Sequence, residues 1–236
     1  MTESARFGWT VLLPVKVLAQ AKSRLAALAG ERRLELALAL ASDTVSAVVA
    51  CPEVARVIVV TSDPVAGSRL SSLGARIIPE ARPAARGRDS LQSARPSPDG
   101  SQHQLNAALR RGAAAAVRRW PGTGLAALTA DLPALRPAEL ADALRAASDV
   151  AGPVFVPDAA GVGTTMYAVA TGGQFRPMYG GASRARHAAG GATELVLGGI
   201  AGLRQDVDTP DDLRAAVALG VGPRTAGVAA ELLADA

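Results

Sequence analysis

Apolar residues fall in two rhythms along the chain. Trp9-Thr10-Val11-Leu12-Leu13-Pro14-Val15 is an apolar run of strand length, and Ala55-Arg56-Val57-Ile58-Val59-Val60-Thr61 is another. Between them Leu34, Leu38, Ala41, Val45, Val48 and Val49 recur at helical spacing, which predicts an amphipathic helix over 31–50. The alternation continues with a short helix ending at Leu73, a strand over 75–79, a helix over 105–120 and a strand over 125–130. A helix over 137–148 with proline in its first turn follows, then strands over 150–157 and 165–170 around a glycine turn at 159–163. Residues 183–189 read as helical, 193–197 as extended and 210–219 as helical. Near-continuous β-branched runs alternating with helices predict an α/β fold: a mainly parallel sheet covered by helices on both faces.

One stretch breaks this rhythm. Residues 82–104 are rich in Pro, Arg, Ser and Gly without periodicity, which predicts a mobile surface insertion. The expected organisation is a single domain over 8–220 carrying that insertion, then a loosely attached tail over 221–236.

Composition narrows the function classes. A chain of 236 residues, about half apolar, can bury a substantial core. Its apolar runs are too short or too interrupted by charge to span a bilayer, and residues 1–10 lack the pattern of an export signal. A cytoplasmic protein is expected. Cys51 is the single cysteine, and His103 and His187 the only histidines, which excludes a disulfide framework, a thiolate zinc site and the multi-histidine metal motifs. The net charge of +4 suggests nucleic acid, but the arginines are scattered along helices and aromatics make up only 3%. No nucleic-acid or membrane partner is expected. Against so arginine-rich a background the only lysines, Lys16 and Lys22, stand together in the loop after the first strand. There a compact ammonium is the better reading than a generic surface cation.

Familiar nucleotide and nucleophile motifs are absent. There is no Gly-Lys-Ser/Thr, and Gly161-Val162-Gly163 lacks both the closing glycine and the strand-to-helix context of a dinucleotide fingerprint. Gly181-Ala182-Ser183-Arg184-Ala185 lacks the final glycine of a nucleophile elbow. Groups placed after strands remain, at the edge where open α/β sheets bind ligands. Lys16, Lys22 and Arg24 form a cationic loop able to grip polyphosphate, the alternative being a solvated basic loop. Asp131 ends a buried strand. Asp206 and Asp208 stand two apart in an extended segment, so both carboxylates point to one side and, with Asp131, suit a hard cation such as Mg²⁺. The competing reading for Asp208 is a helix cap before Thr209-Pro210. Gly161-Val162-Gly163-Thr164-Thr165 and Gly180-Gly181-Ala182-Ser183 offer backbone N–H groups and hydroxyls to an anion. His187, one helical turn beyond Ser183, reads as a pocket group or equally as an ordinary surface histidine.

Taken in order, Pro14-Val15-Lys16, Ala21-Lys22-Ser23-Arg24-Leu25, Val60-Thr61-Ser62-Asp63, Leu105-Asn106-Ala107-Ala108, Ala130-Asp131-Leu132-Pro133, Gly163-Thr164-Thr165, Gly180-Gly181-Ala182-Ser183 with His187, and Asp206-Val207-Asp208-Thr209-Pro210 resemble the guanylyltransferases of coenzyme F420 biosynthesis. Members act on phosphoenolpyruvate or 2-phospho-L-lactate. The resemblance spans roughly residues 11–219 and departs from the family at Gln104, where glycine is usual, and at Gly161-Val162-Gly163-Thr164, which replaces Gly-Thr-Gly-Thr. It implies a single-domain nucleotidyltransferase fold, Rossmann-like and GT-A-like. It also implies transfer of GMP from GTP to the phosphate of phosphoenolpyruvate with release of pyrophosphate. The alternatives are 2-phospho-L-lactate, 3-phosphoglycerate or a sugar phosphate as acceptor. On this resemblance Lys16, Lys22 and Arg24 neutralise the triphosphate, and Pro14, Val15, Ser62, Asp63 and Asn106 contact the nucleotide. Thr165, Gly180 and Ser183 hold the acceptor, and Asp131, Asp206 and Asp208 hold Mg²⁺. A monomer or homodimer passing its product to the next enzyme of the pathway is expected.

Overall fold

The computed structural model describes residues 8–79 and 98–234. Its strands are β1 (Trp9–Pro14), β2 (Val54–Val60), β3 (Arg76–Ile78), β4 (Gly124–Leu128), β5 (Pro153–Pro157), β6 (Thr164–Val169) and β7 (Thr193–Glu194). They form one sheet in the order β3-β2-β1-β4-β6-β5-β7. Among the described strands β6 alone runs against the others: β1, β2, β3 and β4 pair in parallel, while β4 and β5 both pair antiparallel to β6.

The helices are α1 (Ala26–Ala29), α2 (Arg33–Val49), α3 (Pro64–Ser71), α4 (Pro98–Arg119), α5 (Pro137–Asp149), α6 (Ser183–Ala189), α7 (Ala201–Arg204), α8 (Pro210–Leu219) and α9 (Pro223–Ala234). Alternation along each strand decides which helices it meets. Val11, Leu13, Val57, Val59, Ala126 and Leu128 face the layer of α2, α3 and α5. Leu12, Ile58, Val60, Leu125 and Ala127 face α4 through Ala108, Leu109, Ala113 and Ala116. Each fully buried leucine or isoleucine contributes on the order of 1.5–3 kcal/mol, which is why both faces must be covered.

Helix starts follow local chemistry. Pro64, Pro137 and Pro210 each occupy a first-turn position, where a missing N–H costs nothing. The Asp63 carboxylate accepts from Val65 N and Ala66 N at 3.0 Å each, capping α3. Thr209 caps α8 by accepting from Asp212 N, and the Asp212 carboxylate accepts in return from Thr209 N.

Two regions differ from the sequence expectation. Residues 82–97 of the expected insertion lie outside the described residues, but 98–104 are the opening turns of α4. The stretch read as a loose tail, apart from 235–236, which are not described, contains α9, docked on the outer face of α2. Val228, Ala229 and Leu232 join Leu36, Leu40 and Leu213 in a third core cluster. Asp43 of α2 accepts from Thr225 N at 2.7 Å and from the Arg224 guanidinium at 3.2 Å, so a buried carboxylate anchors the start of α9.

Candidate active site

A cavity of about 440 Å³ opens at the carboxyl edge of the sheet. Three walls form it. After β1 come Pro14, Val15, Lys16, Lys22 and Arg24; after β4 come Thr129, Ala130 and Asp131; and Asp206 and Asp208 approach from the segment before α8. Because β6 runs backwards, its first residues reach the same rim, bringing Gly163 and Thr164 opposite Gly180, Gly181 and Ser183.

The carboxylate wall follows from one buried apolar residue. Val207 is fully buried in the third core cluster, and its N–H donates to Asp131 O at 3.2 Å. Asp206 and Asp208 on either side are thereby turned into the cavity beside Asp131. Thr209 supplies the cap of α8, which leaves the Asp208 carboxylate to the cavity.

Lys22 lies among these acids. Its ammonium donates to Asp131 Oδ2 and, at 2.8 Å, to Asp208 Oδ1. Its backbone is left-handed, with φ 54° and ψ 40°, a conformation that costs a lysine about 1 kcal/mol. Burial works against the charged ammonium, but Asp131 and Asp208 outweigh it and hold Lys22 above its ordinary value. Burial pushes Asp208 upward, and Lys22, then Arg24 and Lys16, overcome that and hold it below the usual carboxylate range. For Asp206 the relief from Lys22 is outweighed. Burial, then the charges of Asp131 and Asp208, push it up to about 7. Lys16 and Arg24 are exposed on the same rim, and neither makes a hydrogen bond or ion pair among the described residues.

Among the described residues no three His, Cys, Asp or Glu side chains converge as a preformed metal centre. The donor chemistry nonetheless fits a divalent cation. Asp131 Oδ1 is buried with no partner, and Asp131, Asp206 and Asp208 bring together at one cavity the hard oxygen donors that such an ion takes.

The remaining sequence candidates are distributed unevenly. Pro14, Val15, Gly180 and Ser183 line the cavity. The Val15 N–H is already given to Val60 O at 2.9 Å. Ser62, Asp63, Asn106 and Thr165 are not among the lining residues. Asp63, besides capping α3, accepts from Leu18 N at 2.9 Å and so anchors the cationic loop from behind. Burial would raise its carboxyl, but the N–H groups of Ala66, Leu18 and Val65 together hold it low. Asn106 of α4 binds the backbone of Tyr179 in both directions, at 2.9 and 3.0 Å, bracing the glycine loop.

Thr165 is fully buried, and its hydroxyl donates to Val156 O at 3.4 Å. The reason is a register shift. Val156 pairs with Met166 but Pro157 pairs with Thr164, so Thr165 is an extra residue in β6 and Thr164 is turned to the cavity. His187 differs from the surface reading: it is fully buried, with ring centroids 4.8 Å from Tyr167 and 5.8 Å from Phe155.

Asp158 and Tyr179 also line the cavity and were not singled out from the sequence, while Thr164, named there only within the glycine segment, lines it where Thr165 does not. Asp158 fills the glycine turn ahead of it, accepting from Val162 N at 2.8 Å and Gly163 N at 2.7 Å. Those N–H groups are therefore spent inside the protein. An aspartate five residues before the second glycine of Gly161-Val162-Gly163 is the signal that could have announced this Asx-type turn. The Gly180-Gly181 turn, with φ of 103° and 46°, meets no such carboxylate among the described residues and needs glycine at both positions.

No protein-family model matches the chain. A phosphoenolpyruvate guanylyltransferase from Thermomonospora curvata is 52% identical over 231 residues, covering 98% of this chain and 92% of the relative. One from Streptomyces avermitilis is 53% identical over 226 residues and covers 95% of each. One from Nocardia farcinica is 46% identical over 215 residues, covering 91% of this chain and 87% of the relative. Among solved structures, one assigned as a nucleotide-diphospho-sugar transferase from Desulfovibrio desulfuricans superimposes with a TM-score of 0.59 at 13% identity, covering 87% of this chain and 84% of that one. A 4-diphosphocytidyl-2C-methyl-D-erythritol synthase gives 0.52 at 16% identity, covering 92% and 99%. These share the nucleotidyltransferase fold.

Proposed function

This chain belongs to the phosphoenolpyruvate guanylyltransferase family and is a nucleotidyltransferase, and from that premise we propose that it moves GMP from GTP to the phosphate of phosphoenolpyruvate. The products are enolpyruvyl-diphospho-5′-guanosine and pyrophosphate, a step of coenzyme F420 biosynthesis. The observation that carries this reading is a single cavity with cations on one wall, carboxylates on another and a glycine turn on the third.

An oxygen of the acceptor phosphate attacks the α-phosphorus of GTP in line, and the bond to the pyrophosphate leaving group breaks. The attacking phosphate is already ionised, so no side chain need act as general base. Catalysis of such transfers is mostly positioning and charge neutralisation. Lys16 and Arg24, exposed on the rim, meet the triphosphate, and Lys22 lies deeper beside the acids. Pro14 and Val15 border the nucleotide, with Ser62, Asp63 and Asn106 as supports behind it. Gly180 and Ser183 receive the acceptor, with Thr165 buried directly behind that wall. Asp131, Asp206 and Asp208 are the residues that would hold Mg²⁺, which when bound would offset the negative charge of the phosphates.

The test is pyrophosphate release with GTP and Mg²⁺, offering phosphoenolpyruvate, 2-phospho-L-lactate and 3-phosphoglycerate in turn. Release with phosphoenolpyruvate, reduced at least a hundredfold in Asp208→Asn, is the expected result, of the size seen when a transition-state charge partner is lost. Release with none of the three would remove the reading.

A further inference from the structure

Among the described residues Lys22 is the one non-glycine residue with a positive φ. A side chain persists in that region only where its surroundings over-determine it. Asp131 and Asp208 hold the ammonium, but they act at the far end of a long flexible stem and leave the backbone unconstrained. Backbone control comes from Arg33, the first residue of α2. Its guanidinium donates to Ala21 O and, at 3.0 Å, to Ala19 O. The peptide unit is planar, so holding the Ala21 carbonyl holds the plane that carries the Lys22 N–H, and that plane is one side of the φ rotation. The same segment is tied from behind, where Leu18 N donates to Asp63 at 2.9 Å and Ala21 N to Leu18 O at 3.0 Å.

The placement of Arg33 breaks a local rule. A cation in the first turn of a helix stands at the positive end of its dipole. Among the described residues Arg33 forms no ion pair that would offset this, and it is not one of the residues lining the cavity. Its flat fork of N–H groups is instead spent on the loop, and a broken local rule of this kind marks a functional constraint. We propose that Arg33 is a positioning residue for the transfer of GMP, holding the Lys22 backbone in the left-handed conformation that carries the ammonium to Asp131 and Asp208. The inference rests on the guanylyltransferase reading above and extends it to a residue outside the cavity.

The test uses the fact that Lys16 and Lys22 are the only lysines of the chain. Acetylation of the full chain by an N-hydroxysuccinimide ester, followed by peptide mass mapping, reads the two amines separately. In the native protein Lys22, with a side chain 11% exposed, should react more slowly than the exposed Lys16. Arg33→Met should speed acetylation of Lys22 by about tenfold, as loss of a hydrogen bond to a charged group allows, and leave Lys16 within about twofold. Pyrophosphate release with GTP, Mg²⁺ and phosphoenolpyruvate should show kcat lowered by about tenfold to a hundredfold in the same variant, the cost of a misplaced group. Arg33→Lys keeps one ammonium for the two carbonyls and should fall between the native protein and Arg33→Met in both readouts. It also serves in place of Arg33→Met if that variant does not fold. Unchanged acetylation of Lys22, equal acceleration at both lysines, or an unchanged kcat would overturn the inference. An active native enzyme with those results leaves the guanylyltransferase reading intact. A native enzyme inactive on every acceptor removes that reading and the positioning role with it.

Discussion

His187 shows how much a single side chain can be made to do by burial alone. Its imidazole is packed among Phe155, Tyr167 and Tyr179 and is uncharged when folded. The unfolded chain takes up a proton near pH 6.5, whereas the folded one refuses it until about 4. The stability this group contributes is therefore fully present above pH 6.5 and erodes as pH falls from there to about 4, by roughly 3 kcal/mol in all. Urea unfolding at a series of pH values should show that loss in the native protein and a shallower one in His187→Gln. Equal slopes would contradict the assignment. Sequence could supply the residue and its distance from Ser183 but not its surroundings, because the rings that bury it come from β5, β6 and the loop before α6. The same limit applied to Thr164 and Thr165. Strict alternation cannot reveal an inserted residue, and the register shift at Pro157 decides which hydroxyl reaches the cavity.

At the scale of elements, legibility tracked how strongly periodicity and punctuation agreed. β2, α5 and α8 were readable because an apolar run or helical spacing was bounded by Asp-Pro, Arg-Pro or Thr-Pro, and β1 because its apolar run is unbroken. Helix α9 carried a signal as well: Pro223 in the first turn, then Val228, Ala229 and Leu232 on one face. Its alanine- and glycine-rich composition and terminal position made it read as a tail. The two readings predict different costs. With Leu232 buried against α2 and α8, Leu232→Ala should lower stability by about 2–3 kcal/mol, measured by urea denaturation, while pyrophosphate release per folded molecule stays unchanged. A loss below about 0.5 kcal/mol, the usual figure for a surface position, would restore the tail. The first turns of α4 were unreadable for a related reason. Residues 98–104 contain glycine, serine and polar residues with no apolar stripe, and the helix there is continued from the buried Ala108–Ala116 segment.

At the scale of the molecule, the cavity gathers residues from position 14 to position 208 onto one edge of one sheet. A ligand that fills it ties together segments that are distant along the chain, so binding should register as global stability. GTP with Mg²⁺ at a hundred times its dissociation constant should add about 2.7 kcal/mol, seen as a rise in melting temperature. No rise with GTP would count against the nucleotide assignment. Among the described residues no helix is long and apolar enough to cross a membrane. The α/β class, Asp131 and the cationic loop were legible because strand ends announce themselves, and Asp206 and Asp208 because they stand two apart before Thr209-Pro210, whereas the pairing of Lys22 with Asp131 and Asp208 depends on long-range closure that spacing does not encode.

The reversed strand β6 has a further consequence. It divides the rim into two neighbouring workshops, one built on the parallel strands with the cationic loop, the other on the inverted hairpin of β5 and β6 with its glycine turns. Each can be retooled without dismantling the other. On the proposed assignment, changing the acceptor would require edits within 158–187, with the cationic loop at 14–24 left as it stands. A fold organised in this way can acquire new phospho-acid partners by exchanging one hairpin and its following loop.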